Sequence, residues 1–208
     1  MPLDGVSRVL ILALVLVALA SATTQAQRTT DFVPISDAVL QNPAPEDWLM
    51  WRRTFDSWGY SPLEQVNRNN VGDLRMVWTR GLAEGSLQQG TPLVYNGVMY
   101  MPNPRDVIQA IDAVTGDLIW EYRRDRPDDL SEYMIGSLID TNRNLSIYGD
   151  LIIDTSADDY IFALDATTGE LRWDTEILDH RQYPVNQTSG PIIANGKVIS
   201  GRSCVPVS

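Results

Sequence analysis

An eleven-residue pattern occurs twice in this chain and constrains the fold more than any other feature. The copies are Ala110–Trp120 and Ala163–Trp173, and they align without a gap at Ala, Asp, Ala, Thr, Gly and Trp. In each copy the Asp side chain can accept hydrogen bonds from turn amides, and Thr-Gly can close a tight turn in which Gly supplies a positive φ. A strand with Trp at a fixed place follows. The pattern therefore predicts a repeated structural unit rather than two unrelated hairpins.

The residues around the two copies predict short strands joined by turns. Asn96-Gly97 and Asn195-Gly196 each separate two apolar runs, which favours a hairpin because both central turn positions need a positive φ. After the first 47 residues the sequence has no long, capped stretch with helical periodicity, so we expect an all-β protein. A β repeat of roughly 50 residues is typical of propeller blades, with the repeated Trp at the seam between neighbouring sheets.

The start of the chain has the pattern of an export signal. Val9–Ala20 is an unbroken apolar run, too short for a bilayer-spanning helix, and small residues that suit signal peptidase follow it. We therefore expect a signal peptide over residues 1–26, a polar leader over 27–47, where prolines discourage regular structure, and propeller blades over 48–208. An uncleaved membrane anchor is the alternative. The first interpretation implies a periplasmic or secreted protein with no stable membrane span after cleavage.

The composition argues against some classes of function. The chain has 16 Lys and Arg against 27 Asp and Glu, for a formal net charge of −11. We therefore expect no nucleic-acid partner, because nucleic-acid binding needs a basic surface. An acidic surface is compatible with the docking of a basic partner. Cys204 is the single cysteine, so no disulfide within the chain and no multi-cysteine metal cluster is possible.

The repeat resembles the tryptophan-docking motif of quinoprotein propellers. The sequence between the copies resembles the N-terminal region of the quinoprotein alcohol dehydrogenases, the methanol and ethanol dehydrogenase family that uses pyrroloquinoline quinone (PQQ). The similar segments, spread over nearly all of residues 48 to 204, are Trp51–Arg53, Gly59–Leu63, Gln89–Val94, Thr141–Leu145, Asn186–Pro191 and Gly201–Cys204. This resemblance implies two to three blades of an eight-bladed propeller. It also implies oxidation of primary alcohols to aldehydes, with electrons passed to a cytochrome c.

The resemblance implies a set of cofactor-binding residues. Arg143 matches the arginine that bonds the quinone oxygens and stabilises charge as the quinone is reduced, so it is the expected catalytic residue. Thr188 and Ser203 match hydroxyls that hold PQQ carboxylates, and Gln89 stands where relatives often carry a Glu that contacts the cofactor. These residue types suit a tricarboxylate ortho-quinone, which needs cationic and hydroxyl donors. Without the resemblance, Arg143 is a surface arginine and the hydroxyls are ordinary loop residues.

The sequence also departs from the family. Ser137 and Leu138 stand where methanol-oxidising relatives carry two adjacent cysteines that form a disulfide over the quinone. By the resemblance, the ligands of Ca²⁺ or a lanthanide and the catalytic base of the complete enzyme lie beyond Ser208. We therefore expect no metal ligand in this chain, a propeller truncated at its C-terminus, no turnover by the chain alone, poor solubility and marginal stability.

Other polar residues have a structural interpretation. His180, the single histidine, is expected in a solvated loop. Asp154, Asp158 and Asp159 are expected to serve a hairpin turn, because they lack the spacing of a calcium-binding loop. Two other interpretations of the whole chain stay open. One is a non-enzymatic binding scaffold, as in the outer-membrane assembly lipoproteins that share the repeat, and the other is a non-functional truncated gene product.

Overall fold

Antiparallel β-sheet dominates the computed structural model of the chain. The structure describes residues 32–82, 87–134 and 136–204, without the side chains of residues 136, 137, 203 and 204. The chain divides into two units, Met1–Phe32 and Val33–Ser208, and all the elements below belong to the second unit. The expected signal peptide and the first residues of the leader lie outside the described residues. Over the three described ranges, no helix has the length and apolar character needed to cross a membrane.

Two four-stranded sheets contain most of the described strands. The first sheet comprises β1 (Leu93–Tyr95), β2 (Val98–Asn103), β3 (Val107–Asp112) and β4 (Leu118–Arg123). The second sheet comprises β5 (Ser146–Tyr148), β6 (Leu151–Thr155), β7 (Tyr160–Asp165) and β8 (Leu171–Glu176). In both sheets each strand pairs antiparallel with the next strand along the chain. This is the form of a propeller blade, so the predicted all-β blade architecture is confirmed; we name the sheets blade 1 and blade 2.

The remaining elements are short. β9 (Val185–Asn186) pairs with β12 (Ser203–Cys204), and β10 (Ile192–Ala194) pairs with β11 (Lys197–Ile199). The other elements are α1 (Asp37–Gln41), α2 (Leu130–Tyr133) and 3-10 turns at Val71–Asp73, Pro104–Asp106 and Gly136–Asp140. The β10–β11 hairpin corresponds to the first hairpin of a blade. The described residues therefore contain two blades and the beginning of a third.

The two Asn-Gly hairpins form as the sequence predicts. Asn96 and Gly97 connect β1 to β2 with φ values of 49° and 77°, and Asn195 and Gly196 connect β10 to β11 with φ values of 50° and 66°. Two successive positive φ values define the two-residue turn whose twist matches that of the flanking strands. Asn and Gly adopt this conformation at the lowest cost, which fixes the register of each hairpin.

The leader segment is more ordered than its prolines predict. Ile35 and Gly149 exchange backbone hydrogen bonds of 2.8 and 2.7 Å, and α1 places Leu40 in the core. Trp48, the residue after the leader, exchanges two more backbone hydrogen bonds, of 2.8 and 2.9 Å, with Val94. This pair extends blade 1 beyond its edge strand, β1. The short helix α1 forms because every proline of the leader lies outside it, where the ring removes no helical hydrogen bond.

The turn chemistry of the repeat is the same in both blades. Asp112 Oδ1 accepts the backbone N–H groups two and three residues further on at 2.8 and 2.9 Å, and Asp165 Oδ1 accepts the equivalent pair at the same distances. Gly116 and Gly169 follow with φ values of 78° and 76°. The predicted roles of Asp and Gly in the turn are confirmed.

The tryptophan of the first repeat packs at the seam between the blades. Trp120 donates from Nε1 to the carbonyl of Ala166 at 3.1 Å, and its ring covers Gly169 so closely that a Cβ there would lie 2.6 Å from it. Tyr100 donates its hydroxyl to the same carbonyl at 3.1 Å, with its ring centroid 6.0 Å from that of Trp120. Each large side chain buried in this way contributes about 1.5–3 kcal/mol to stability. The predicted seam position of the tryptophan is confirmed.

Trp78 repeats this docking one unit earlier in the chain. Its Nε1 donates to the carbonyl of Ala113 at 3.1 Å, and its ring lies over Gly116, where an added Cβ would come within 2.7 Å. The residues around Trp78 form no strand within the described part of the chain, and their flanking apolar side chains face solvent. Trp78 therefore docks on blade 1 as Trp120 docks on blade 2.

Candidate functional site

Three of the four residues implied to bind the quinone lie in corresponding segments of successive repeat units. Gln89, Arg143 and Thr188 each come a few residues before the first strand of a unit, namely β1, β5 and β10. Blades are arranged around a common axis, so equivalent positions of neighbouring blades approach one another. The three side chains meet accordingly: Arg143 donates from Nε to Gln89 Oε1 at 2.9 Å and from NH1 to Thr188 Oγ1.

Arg143 is the centre of this group. Its side chain is half-buried, that of Thr188 is half-buried and that of Gln89 is exposed, so the group borders solvent. Both side-chain partners are neutral, and the positive charge of the guanidinium is therefore not compensated by either of them. One cation, one amide and one hydroxyl form a donor set that suits an anionic ligand rich in oxygen atoms. The residues present thus fit the carboxylates and carbonyls of PQQ.

The fourth predicted residue, Ser203, is placed by its backbone. It lies in β12 and pairs with Asn186 of β9, two residues before Thr188. This pairing brings the strand that carries Ser203 beside the segment that carries Thr188. The side chain of Ser203 lies outside the described part of the structure, so the contact of its hydroxyl with the cofactor stays a prediction.

A buried polar pair holds the residue that precedes Arg143. Asn142 donates from Nδ2 to Asp154 Oδ2 at 2.6 Å, and Asp154 Oδ1 accepts the backbone N–H of Thr155 at 2.8 Å. Asp154 lies within β6 and is fully buried, so the expectation that it serves a turn is wrong. Burial raises the pKa of Asp154 well above its ordinary value and the charge of Asp106 adds to the rise, while the hydrogen bonds from Asn142 and Thr155 oppose it.

Asp158 and Asp159 lie in the turn between β6 and β7, as expected, but both are buried and bind arginines from elsewhere in the chain. Arg124, which follows blade 1, donates to both oxygens of Asp158 at 2.9–3.2 Å and stacks 4.6 Å from the ring centroid of Tyr160. Arg202 donates to Asp159 Oδ1 at 3.0 Å. Burial raises the pKa of Asp159 to about 6, against the charge of Arg202. Asp158 therefore connects the segment after blade 1 to blade 2, and Asp159 connects blade 2 to the segment that precedes β12.

His180 is buried, so the expectation of a solvated histidine is wrong. Its Nε2 lies 3.3 Å from Asp129 Oδ1, and its ring meets the ring of Tyr133 edge-on at 5.9 Å. Arg181 donates to the other oxygen of Asp129 at 2.7 Å and lowers the pKa of that carboxyl. α2 and the residue before it thus cover the loop after β8. Within the described ranges, no group of three or more His, Cys, Asp or Glu side chains is arranged to hold a metal ion.

The sequence did not predict the buried pair of Asn142 and Asp154 next to Arg143. A signal was present for one of them, because Asp154 follows three apolar residues in a predicted strand, where a carboxylate is unexpected. No local pattern shows that its partner is Asn142, since the two residues belong to different elements. Their proximity is a product of the folded blade.

Blades with docked tryptophans define a tryptophan-docked β-propeller, and the segments before its first strands form a cationic and hydroxyl donor group that would suit an anionic ligand. Residues 48–207 match the PQQ family, described as the β-propeller domain of glucose, ethanol and alcohol dehydrogenases. The chain belongs to this family.

Individual relatives agree with this assignment. The dehydrogenase subunit of alcohol dehydrogenase (quinone) from Gluconacetobacter polyoxogenes is 36% identical over 164 residues, which are 76% of this chain and 22% of that protein. The solved structure of quinohemoprotein alcohol dehydrogenase ADHIIG from Pseudomonas putida HK5 matches with a TM-score of 0.73 and 28% identity, over 83% of this chain and 26% of that one. A europium-containing methanol dehydrogenase matches with a TM-score of 0.72 and 27% identity, over 80% and 29%. The chain thus spans less than a third of the length of these relatives.

Proposed function

We propose that this chain is the N-terminal, quinone-binding part of an exported enzyme that oxidises primary alcohols to aldehydes with PQQ, and that Arg143 is its catalytic residue. The observation that supports the proposal is the meeting of Arg143, Gln89 and Thr188 from three successive repeat units. A guanidinium whose side-chain partners are neutral keeps its charge available for an anionic oxygen ligand.

The residues of the chain bind and orient. PQQ supplies a two-electron acceptor, its ortho-quinone, when it is bound. Arg143 offers charged donors to the quinone oxygens, and its charge favours the negative charge that those oxygens gain on reduction. Gln89 fixes the plane of the guanidinium by accepting from its Nε. Thr188 and Ser203 are proposed to donate hydroxyl hydrogen bonds to the carboxylates.

The proposal assigns only part of the reaction to this chain. Binding of Ca²⁺ or a lanthanide and removal of the alcohol proton by a carboxylate are assigned to residues that the family resemblance places beyond Ser208. A cytochrome c is the proposed electron acceptor. The isolated chain is accordingly proposed to bind PQQ without oxidising alcohols. It is proposed to be periplasmic or secreted, with residues 1–26 as signal peptide, 27–47 as leader and 48–208 as blades.

Titration of the full chain with PQQ, followed by the absorbance of the quinone, tests the proposal. We expect saturable binding by the wild type and at least about tenfold weaker binding by Arg143→Ala, because a hydrogen bond to a charged group contributes about 1.5–3 kcal/mol. Arg123→Ala is the matched control, since Arg123 is an exposed arginine of β4 that pairs with Glu121, and it should bind like the wild type. Equal, negligible signals from the wild type and Arg143→Ala would contradict a quinone site and favour the binding scaffold.

A further inference from the structure

The backbone of Arg143 is fixed on the side that faces blade 1. Its carbonyl oxygen accepts the N–H of Thr91 at 2.7 Å, and Thr91 forms a parallel bridge with Asn144. This tie sets the distance between the start of β1 and the start of β5. This hydrogen bond does not by itself fix the direction of the Arg143 side chain, because the backbone dihedral angles of the preceding residue, Asn142, can still change.

The preceding residue, Asn142, is fixed on the side that faces blade 2. Its side chain is buried and donates to the fully buried Asp154 of β6 at 2.6 Å. Asp154 pairs across the sheet with Phe162, a position at which an apolar residue is usual. Neither hydrogen-bond partner of Asp154 is a cation, and burying a carboxylate in such surroundings costs free energy. Asp154 therefore lowers stability at this position while it binds the residue next to Arg143. This combination indicates a role in positioning the site.

We propose that Asp154 is a positioning residue for the quinone-binding arginine. By holding Asn142, it sets the direction in which Arg143 leaves the backbone toward Gln89 and Thr188. The inference rests on the proposed function where it concerns PQQ, but the placement of Arg143 can be measured without the cofactor. A purely structural role for Asp154 makes a different prediction, namely a less stable fold in which Arg143 keeps its contacts.

Exchanging the two partners separates these roles. Asp154→Leu removes both acceptor oxygens, so the Asn142 amide and the Thr155 N–H lose their partner. Asp154→Asn serves only in the double variant, because alone it would let the Asn142 amide turn over and accept from the new N–H. Asn142→Asp places two carboxyl groups against each other. In the double variant the new amide at position 154 can donate to the new carboxyl group at position 142, so the pair re-forms with its polarity reversed. We call the hydrogen bond between the side chains of residues 142 and 154 the anchor of Arg143. The double variant therefore restores the anchor that each single variant breaks.

The readout is the ¹⁵N NMR signal of the Arg143 Nε–Hε group, assigned by its absence in Arg143→Lys. In the wild type the hydrogen bond to Gln89 should give this group a high heteronuclear NOE, typical of an ordered side chain. Both single variants should lower the NOE to that of a mobile arginine, and the double variant should restore it. Affinity for PQQ should follow the same order, with a loss of about tenfold in the single variants.

Asp158→Asn is the matched control, since Asp158 is a buried carboxylate that pairs with Arg124 and has no hydrogen bond to Asn142. It should change stability and leave the Arg143 signal in place. If a single variant does not fold, Asn142→Ala, which removes only the donor, takes its place. An unchanged Arg143 signal in the folded single variants overturns the proposal, even where PQQ binds. An Arg143 signal that follows the anchor in a chain that binds no PQQ supports the positioning role and contradicts the proposed function.

Discussion

Trp120 and Trp173 occupy the same place in the same repeat, yet one is 8% exposed and the other 36% exposed. Trp120 rests on the turn of the following repeat, where it meets the carbonyl of Ala166 and the backbone of Gly169. The described residues contain no further copy of that turn for Trp173. The repeat therefore encodes where the tryptophan stands in its strand, whereas its burial depends on the next unit. Stability in such an array belongs largely to pairs of neighbouring units.

The largest effect that distinguishes the two tryptophans should be on the free energy of unfolding. Trp120→Ala should cost about 3–5 kcal/mol, because it removes a buried ring and leaves a cavity at the seam. Trp173→Ala should cost about 1 kcal/mol, because its ring is partly in solvent already. Urea unfolding followed by circular dichroism measures both. Equal costs for the two substitutions would show that the repeat acts within one blade rather than between blades.

A smaller effect is expected from the glycine beneath the docked ring. Gly169→Ala should cost roughly 2–4 kcal/mol, because it adds left-handed strain at a φ of 76° to a clash with Trp120. Gly97→Ala is the matched control. Gly97 has a φ of 77° but no atom within 4 Å of an added Cβ, so only the strain of about 1–2 kcal/mol applies. Similar costs in unfolding experiments would contradict close docking of Trp120.

The smallest expected effect is a dependence of the free energy of unfolding on pH, caused by a buried carboxyl group between the two blades. Asp106 lies 3.6 Å from Arg126 and accepts the N–H of Ala157 at 3.3 Å, and burial raises its pKa to about 6. Because this pKa is higher in the folded chain than in the unfolded chain, the folded state binds more protons between pH 4 and 6, and stability falls as the pH rises through that range. A rise of about two pKa units corresponds to roughly 3 kcal/mol at about 1.4 kcal/mol per unit, of which roughly 2 kcal/mol should be lost between pH 4 and 6.

Asp106→Asn should remove this part of the pH dependence when the free energy of unfolding is measured from pH 4 to 7. Asp73→Asn, which changes an exposed carboxylate, should keep the slope of the wild type. An unchanged slope in Asp106→Asn would mean that the carboxyl group titrates alike in the folded and unfolded chains.

Local chemistry made much of the fold predictable. The turn of the repeat is built from hydrogen bonds between residues two and three apart, so its sequence alone indicates its structure. The same holds for the Asn-Gly hairpins. The ion pairs between units were not predictable, because Arg124 and Asp158 are far apart in the chain and meet only when two blades pack. The burial of His180 was not predictable for the same reason, because α2, which covers it, is distant in the chain.

The site was predictable in part. The resemblance indicates Arg143, Gln89 and Thr188, and all three lie in the short segments that precede first strands, where neighbouring units approach one another. The anchor beneath Arg143 was not predictable, because nothing in the residues around Asn142 shows that its amide turns into blade 2. A buried carboxylate in a strand is a warning that a polar partner exists, but it does not identify that partner.

The direction of tryptophan docking also bears on the order in which the molecule assembles. Trp78 rests on a turn at Ala113–Gly116, and Trp120 rests on a turn at Ala166–Gly169, so each ring precedes its seat in the chain. A ribosome releases the ring first and the seat some tens of residues later. Domains and repeats fold as their residues emerge. During synthesis, the indoles of Trp78 and Trp120 therefore each stay undocked until the turn that receives them has emerged.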